Sequence, residues 1–271
     1  MVYGPTMTDP ILIERRHDRI AELRLNRPKA RNALSRELIG ALDEAVTRLG
    51  QDPGIHVIVV FADGPAFCAG HDLREIRAAR AGPDEGRLFF EELMEACSDL
   101  MQRIVLCPKP VIAGVAGIAT AAGCQLVASC DLAVASTEAG FATPGVDIGL
   151  FCSTPMVALT RNVGRKAAME MLLTGDPVSA SRALELGLVN RVVEADRLED
   201  ETLALAARIA AKSPRTLRIG KRAFYEQAEM PLAEAYAHTA RVMVENLLEQ
   251  DAKEGIGAFL DKRPPSWEPL T

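Results

Sequence analysis

Apolar and polar residues alternate along Ile11–Glu14 and again along Ile20–Leu25, on either side of His17-Asp18. A period of two on both arms of a short polar pair predicts a β-hairpin. After Ser35 the period lengthens. Leu38, Leu42, Val46 and Leu49 fall on one helical face, and Ser35 stands where a side chain can cap the first turn. Ile55–Phe61 is a β-branched apolar run, which predicts a buried strand. Helical spacing returns over Glu91–Leu106, at Leu93, Met94, Cys97, Leu100, Met101 and Ile104. Pro110–Val115 and Asp131–Ala135 predict two further strands. From Pro155 onward the pattern is almost wholly helical, broken by Leu188–Val193 and by Pro177, Pro214 and Pro231. The chain therefore divides into an α/β part, residues 1–200, and a helical part, residues 201–271. No short-period repeat and no low-complexity linker interrupts it.

One stretch, Val111–Cys130, carries no charged residue and is long enough to cross a bilayer, which takes about 20 residues. It holds three glycines, Thr120, Gln125 and Ser129 and is rich in alanine. A buried strand, a turn and a buried helix explain it better than a membrane span. With 271 residues the chain can bury a large core. Its net charge of −6 argues against nucleic-acid binding, which needs a basic face. None of the six cysteines forms a CxxC pair or a zinc-spaced cluster with histidine, so no metal is expected. Buried, reduced thiols suit a cytoplasmic protein. Residues 1–10 lack a basic region followed by an apolar core, so no signal peptide is expected there.

The chemistry concentrates in two glycine-punctuated segments, Phe67-Cys68-Ala69-Gly70-His71-Asp72-Leu73 and Ala119-Thr120-Ala121-Ala122-Gly123-Cys124-Gln125-Leu126. Each reads as a tight turn that ends a strand and opens a helix. Each can aim a backbone N–H at one shared point, and two such donors make an oxyanion hole. Asp72-Leu73-Arg74-Glu75 fits a capping box rather than an acid–base pair. No GxGxxG or GxxxxGK[ST] is present, so dinucleotide and P-loop readings have no support.

The order, spacing and flanks of these segments resemble the crotonase (enoyl-CoA hydratase/isomerase) superfamily. The likeness runs from Leu25-Asn26-Arg27-Pro28, through Phe141-Ala142-Thr143-Pro144-Gly145, to Glu254-Gly255, Phe259, Lys262-Arg263, Pro265 and Trp267. The resemblance implies a spiral of ββα units followed by helices that build a homotrimer or a dimer of trimers. It implies an acyl-CoA thioester as ligand, with coenzyme A part of the substrate and no tightly bound cofactor. The backbones of His71 and Ala122 would supply the oxyanion donors. Backbone groups of Ala69 and His71 would meet the adenine, Arg27 and Lys29 would lie near the phosphates, and Phe259 and Lys262 would contact the nucleotide, within one subunit or across a subunit boundary.

The chain departs from the family where hydratases carry two glutamates: here stand Gln125 and Gly145. An amide does not titrate in the useful range and glycine has no side chain. Asp147, two residues past Gly145, is the carboxylate nearest in sequence to the vacated position. A structural hydrogen-bonding role suits it better than a chemical one. The His71 side chain can reach substrate or simply pack. Cys152 belongs to a loop that borders the pocket in relatives, but it has no evident base. Three classes stay open. The chain is an acyl-CoA isomerase, lyase or hydrolase with another acid–base, a slow hydratase whose Gln125 orients water, or a non-catalytic acyl-CoA binder.

Overall fold

The computed structural model describes residues 9–268. Residues 1–8, most of the segment read as free of a signal peptide, lie outside the described residues, as do residues 269–271. Strands β1 (Leu12–His17) and β2 (Ile20–Leu25) form the expected antiparallel hairpin, with Asp18 at φ 53° in its turn. Helix α1 (Arg36–Gln51) starts at Ser35, whose side chain accepts the Leu38 N–H at 3.2 Å. Its apolar stripe of Leu38, Ile39, Leu42, Val46 and Leu49 is fully buried.

The chain then repeats one plan three times. Strands β3 (Val57–Ala62) and β4 (Ala66–Cys68) lead into α2 (Leu73–Ala79) and α3 (Arg87–Leu106). Strands β5 (Val111–Val115) and β6 (Ile118–Thr120) lead into α4 (Ala122–Ser129). Strands β7 (Leu132–Ser136) and β8 (Gly140–Ala142) lead into a 3-10 turn, Pro144–Ile148, and α5 (Ser153–Leu159). There follow α6 (Arg165–Thr174), β9 (Val178–Ser179), α7 (Ala180–Leu186), β10 (Arg191–Val193) and α8 (Leu198–Ala210). Three helices close the chain: α9 (Pro214–Ala228), α10 (Leu232–Leu248) and α11 (Gln250–Leu260).

The first strand of each unit joins a six-stranded sheet of order β1-β2-β3-β5-β7-β10, parallel from β2 onward. The second joins a smaller sheet of order β4-β6-β8-β9, in which β4, β6 and β8 run parallel. This is the expected spiral of ββα units. The second strands are three residues long, too short for a period-two pattern to reveal. The charge-free run resolves into β5, β6 and α4. Among the described residues no helix is long and apolar enough to cross a membrane.

One core lies between the two sheets and helices α1, α3 and α4. A second covers the outer face of the large sheet, where Ala206 and Ala210 of α8 pack on Val57, Val59, Phe61 and Ile112. The expected boundary at residue 200 therefore falls inside a helix that seals the sheet. Helix α9 is fastened to the core by a buried cation. Lys221 Nζ donates to Asp131 Oδ2 at 2.6 Å and to the carbonyls of Ile104 and Lys109, both at 3.0 Å. Tyr225 donates to the other Asp131 oxygen at 2.9 Å. Helix α10 is the contrast: Leu232, Tyr236, Val244, Leu247 and Leu248 are exposed, with Val242 half-buried.

Two glycines test the packing. A Cβ on Gly123 would overlap the Cys68 carbonyl, whereas one on Gly40, in α1, would meet nothing within 4 Å. In urea denaturation, Gly123→Ala should lose about 1–3 kcal/mol through overpacking. Gly40→Ala should gain up to about 1 kcal/mol, the usual advantage of alanine inside a helix.

Candidate functional site

Because β4, β6 and β8 are parallel neighbours, the turns that leave their carboxyl ends lie side by side. Open α/β sheets place ligands at such ends. The first turn carries Ala69, Gly70 and His71, the second Ala121 and Ala122, the third Thr143, Pro144 and Gly145. The two segments singled out in the sequence are thus joined by a third, from the stretch around residue 143.

The first turn is held from outside. Leu34 makes a single parallel bridge with His71: its N–H donates to the Gly70 carbonyl at 2.8 Å, and its carbonyl accepts the Asp72 N–H at 3.1 Å. Successive N–H groups of an extended chain point opposite ways. The His71 N–H therefore faces away from Leu34, and among the described residues it has no acceptor. Asn32 braces the connection from β3 into β4, donating to the Asp63 and Ala66 carbonyls at 2.8 Å each while its side-chain oxygen accepts the Arg27 N–H. Sequence reading missed Asn32. Its signal is local: Asn32 takes φ 53°, a conformation asparagine tolerates better than most residues.

The second turn is strained. Ala121 sits at φ 50°, ψ −117°, unfavourable for a residue with a Cβ, and is fixed there by its N–H bond to the Ala142 carbonyl at 2.9 Å. Ala122 opens α4, whose first helical bond is Gln125 N–H to the Ala121 carbonyl at 3.0 Å. The Ala122 N–H consequently has no helical acceptor, and none elsewhere among the described residues. The turns touch. A Cβ on Gly70, at φ 86°, would lie 3.0 Å from the Ala121 Cβ and 3.4 Å from the Ala122 nitrogen. Two free donors thus stand on contacting turns.

Around them polar atoms are buried without partners: Nε2 of His71, Oε1 of Gln125 and Oγ1 of Thr143. Burial holds the His71 imidazole below its ordinary pKa, so it is neutral at pH 7. Gly145 is buried with ordinary backbone, not left-handed, yet a side chain there is obstructed. Its Cβ would stand 2.8 Å from the Leu150 carbonyl oxygen and 2.9 Å from the Cys152 sulfur. Asp147 is exposed on the 3-10 turn, with Oδ2 3.2 Å from where a Gly175 Cβ would be. The six cysteines are buried and unpaired. Burial pushes the Cys68 and Cys124 thiols up to about 12 and raises Cys152, so none is a nucleophile at neutral pH. Among the described residues no cluster of three His, Cys, Asp or Glu is arranged to hold a metal.

The residues expected at the nucleotide are more scattered. Arg27 spends its guanidinium on the Ala33 carbonyl and on Asp72 Oδ2, the latter at 2.9 Å. Asp72 in turn accepts the Arg74 N–H at 3.1 Å and caps α2. The capping box is only half made, since Glu75 accepts the Arg36 N–H instead of returning to Asp72. Ala69 gives its N–H to the Arg31 carbonyl at 3.0 Å. Lys29 is exposed in the 3-10 segment Pro28–Ala30. Phe259, near the end of α11, and Lys262, just after it, are exposed, Phe259 by 83%.

The sequence matches the family model of enoyl-CoA hydratase/isomerase over residues 15–269. The chain belongs to this family. It is similar to mitochondrial enoyl-CoA hydratase domain-containing protein 3 of Danio rerio, 50% identical over 92% of this chain and 84% of that one. The human protein of that name is 47% identical over 93% of this chain and 82% of its own length. Among solved structures, an enoyl-CoA hydratase from Mycobacterium smegmatis superposes with a TM-score of 0.91 at 51% identity, covering 96% of this chain and 99% of that one. The crystal structure of human enoyl-CoA hydratase domain-containing protein 3 gives 0.90 at 46%, covering 95% and 100%. The crotonase fold expected from the turns is thereby established.

The Arg27–Asp72 pair that holds the first turn should be visible in pH dependence. Burial alone would raise the Asp72 carboxyl, but the bonds from Arg27 and the Arg74 N–H outweigh it and hold it below the ordinary carboxylate range. A lowered folded pKa stabilises above the unfolded value, about 3.9, and the benefit fades as pH falls through the folded value. The stability gap between wild type and Asp72→Asn, measured by denaturant titration, should be full at about pH 6 and close as the pH drops below about 4.

Proposed function

We propose that the chain binds acyl-CoA thioesters at the three turns and stabilises thioester enolates with the N–H groups of His71 and Ala122. The observation that carries this reading is the contact of two turns, each with a free backbone donor. A donor fixed before reaction needs no reorganisation as negative charge grows on the thioester oxygen, and one such donor typically contributes about 10²–10³-fold. Coenzyme A enters as part of the substrate. Lys29 and, from a neighbouring subunit, Lys262 and Phe259 are the groups offered to its nucleotide end.

The reaction is an enoyl-CoA hydratase/isomerase-like one without the acid and base that hydration uses. General acid–base groups each contribute about 10²–10⁴-fold. Gln125 cannot titrate, and the place of a side chain at Gly145 is filled by Cys152 and the Leu150 carbonyl. Asp147 is the remaining candidate, and it is exposed on the 3-10 turn. The filled Gly145 position favours a second reading, a non-catalytic acyl-CoA-binding or regulatory subunit. Turnover separates the two.

Calorimetry with a series of acyl-CoA esters should show binding, and His71→Pro, which removes one donor, should weaken it. Absence of heat or thermal shift with every ester at millimolar concentration would end the thioester reading. Crotonyl-CoA hydration should run at least about 10³-fold below a typical enzyme rate near 10 s⁻¹. Gln125→Glu with Gly145→Glu should fail to restore it, because the new side chain collides with backbone and should cost about 1–3 kcal/mol of stability. Ordinary hydratase rates in the wild type would shift attention to Asp147→Asn.

The exposed apolar residues of α10 call for cover. We propose a homotrimer or a dimer of trimers. Light scattering at micromolar concentration should give three or six times the 29.2 kDa chain mass.

A further inference from the structure

We infer that the segment after α11, clamped by Glu254, is a positioning device: it holds Lys262 in a left-handed turn and so fixes where that lysine presents its ammonium to the nucleotide end of a coenzyme A ester. The inference rests on the thioester reading above. It adds three positioning residues, Glu254, Arg263 and Trp267, which act through Lys262 and not by touching the ligand. Three observations carry it.

The first is backbone strain. Helix α11 closes with two bonds, from the Arg263 N–H to the Ala258 carbonyl at 3.0 Å and from the Lys262 N–H to the Phe259 carbonyl at 3.3 Å. This closure requires left-handed backbone at the residue after the cap, and Lys262 takes φ 54° there. Glycine is the usual occupant, because it has no Cβ to strain. Here the position carries a long cation whose side chain is exposed, so burial does not explain the choice. A residue kept in unfavourable backbone by its surroundings points to a use for its side chain.

The second is the clamp. Arg263, next to Lys262, donates from both terminal nitrogens to Glu254 in α11, at 2.7 and 2.9 Å. Glu254 also accepts the Ser266 N–H at 2.8 Å. The bonds from Arg263 and Ser266 bring the Glu254 carboxyl down to about 2, so the clamp is closed at neutral pH. A two-point guanidinium–carboxylate pair fixes orientation as well as distance.

The third is the anchor beyond the clamp. Trp267 donates from Nε1 to the Ala211 carbonyl, just past α8, at 2.9 Å. Its ring lies over Gly255, where a Cβ would stand 3.2 Å from it. The Glu268 N–H donates to Asp251 Oδ1 at 3.0 Å, and buried Asp251 accepts the Ser213 hydroxyl that precedes α9. The segment is thus tied both to α11 and to the junction of α8 and α9. An ammonium on a fixed turn has less freedom to lose on meeting a phosphate than one on a loose end.

The test is calorimetric titration of the full-length protein with butyryl-CoA and with S-butyryl-pantetheine, which lacks the nucleotide. Glu254→Gln, close in shape but without the charge, should weaken butyryl-CoA about fivefold or more and leave the pantetheine ester unchanged. Lys262→Ala should weaken butyryl-CoA at least as much. The double variant should lose no more than Lys262→Ala alone, because the clamp acts through that lysine. If Glu254→Gln does not fold, Arg263→Gln opens the same pair and should give the same pattern. Equal losses for both esters, or losses that add in the double variant, would make the clamp a general stabiliser and overturn the inference. Unchanged butyryl-CoA affinity in Glu254→Gln overturns it as well, as does a wild type that binds the two esters equally. Binding of no ester at all would instead sink the thioester reading on which the inference stands.

Discussion

The close approach of two backbone turns is what the site depends on. Gly123 lies so near the Cys68 carbonyl that no Cβ fits between them, and a Cβ on Gly70 would stand 3.0 Å from that of Ala121. These contacts let the ends of β4 and β6 meet at backbone distance instead of being held apart by side chains. The parallel pairing of β4, β6 and β8 then brings a third turn alongside. Most residues at these points are small, Ala69, Gly70, Ala121, Ala122, Thr143 and Gly145, which leaves the backbone of the turns accessible to close approach. The strain at Ala121 is maintained by the bond to Ala142 and by the helix that starts one residue later.

With the donors fixed, the rest of the site is defined by what stands where titratable groups would be. Gln125, buried on α4, brings an amide that does not titrate in the useful range. Gly145 is more restrictive, since Cys152 and the Leu150 carbonyl close the space into which a longer residue would grow. The proposed result is a site whose backbone donors would polarise a thioester while residues 125 and 145 bring no titratable side chain to it.

The turns were legible because glycine beside small residues, at the end of a strand and the start of a helix, has few other uses. The hairpin, α1 and the strands of the large sheet were legible for the same local reason, and the exposed face of α10 follows from its own apolar residues. Other features belong to packing between distant segments. Arg27 resembles a phosphate-binding arginine by position, yet its guanidinium is committed to Asp72 and the Ala33 carbonyl. Asp72 and Glu75 have the spacing of a capping box, yet Glu75 turns to Arg36 in α1. Cys152 reads as a loop residue until the fold places its sulfur beside Gly145. Thr143 gave no local sign, because an unpaired hydroxyl exists only once β8 has been paired and buried.

The central claim, that two backbone donors polarise a bound thioester, is tested most directly by vibrational spectroscopy. An acyl-CoA ester labelled with carbon-13 at the thioester carbonyl reports hydrogen bonding through its stretching frequency. Difference infrared spectra of the bound ester should show the carbonyl band shifted to lower frequency than in water, and the shift should shrink in His71→Pro. A bound ester whose carbonyl band stays at its aqueous frequency in the wild type would contradict the account.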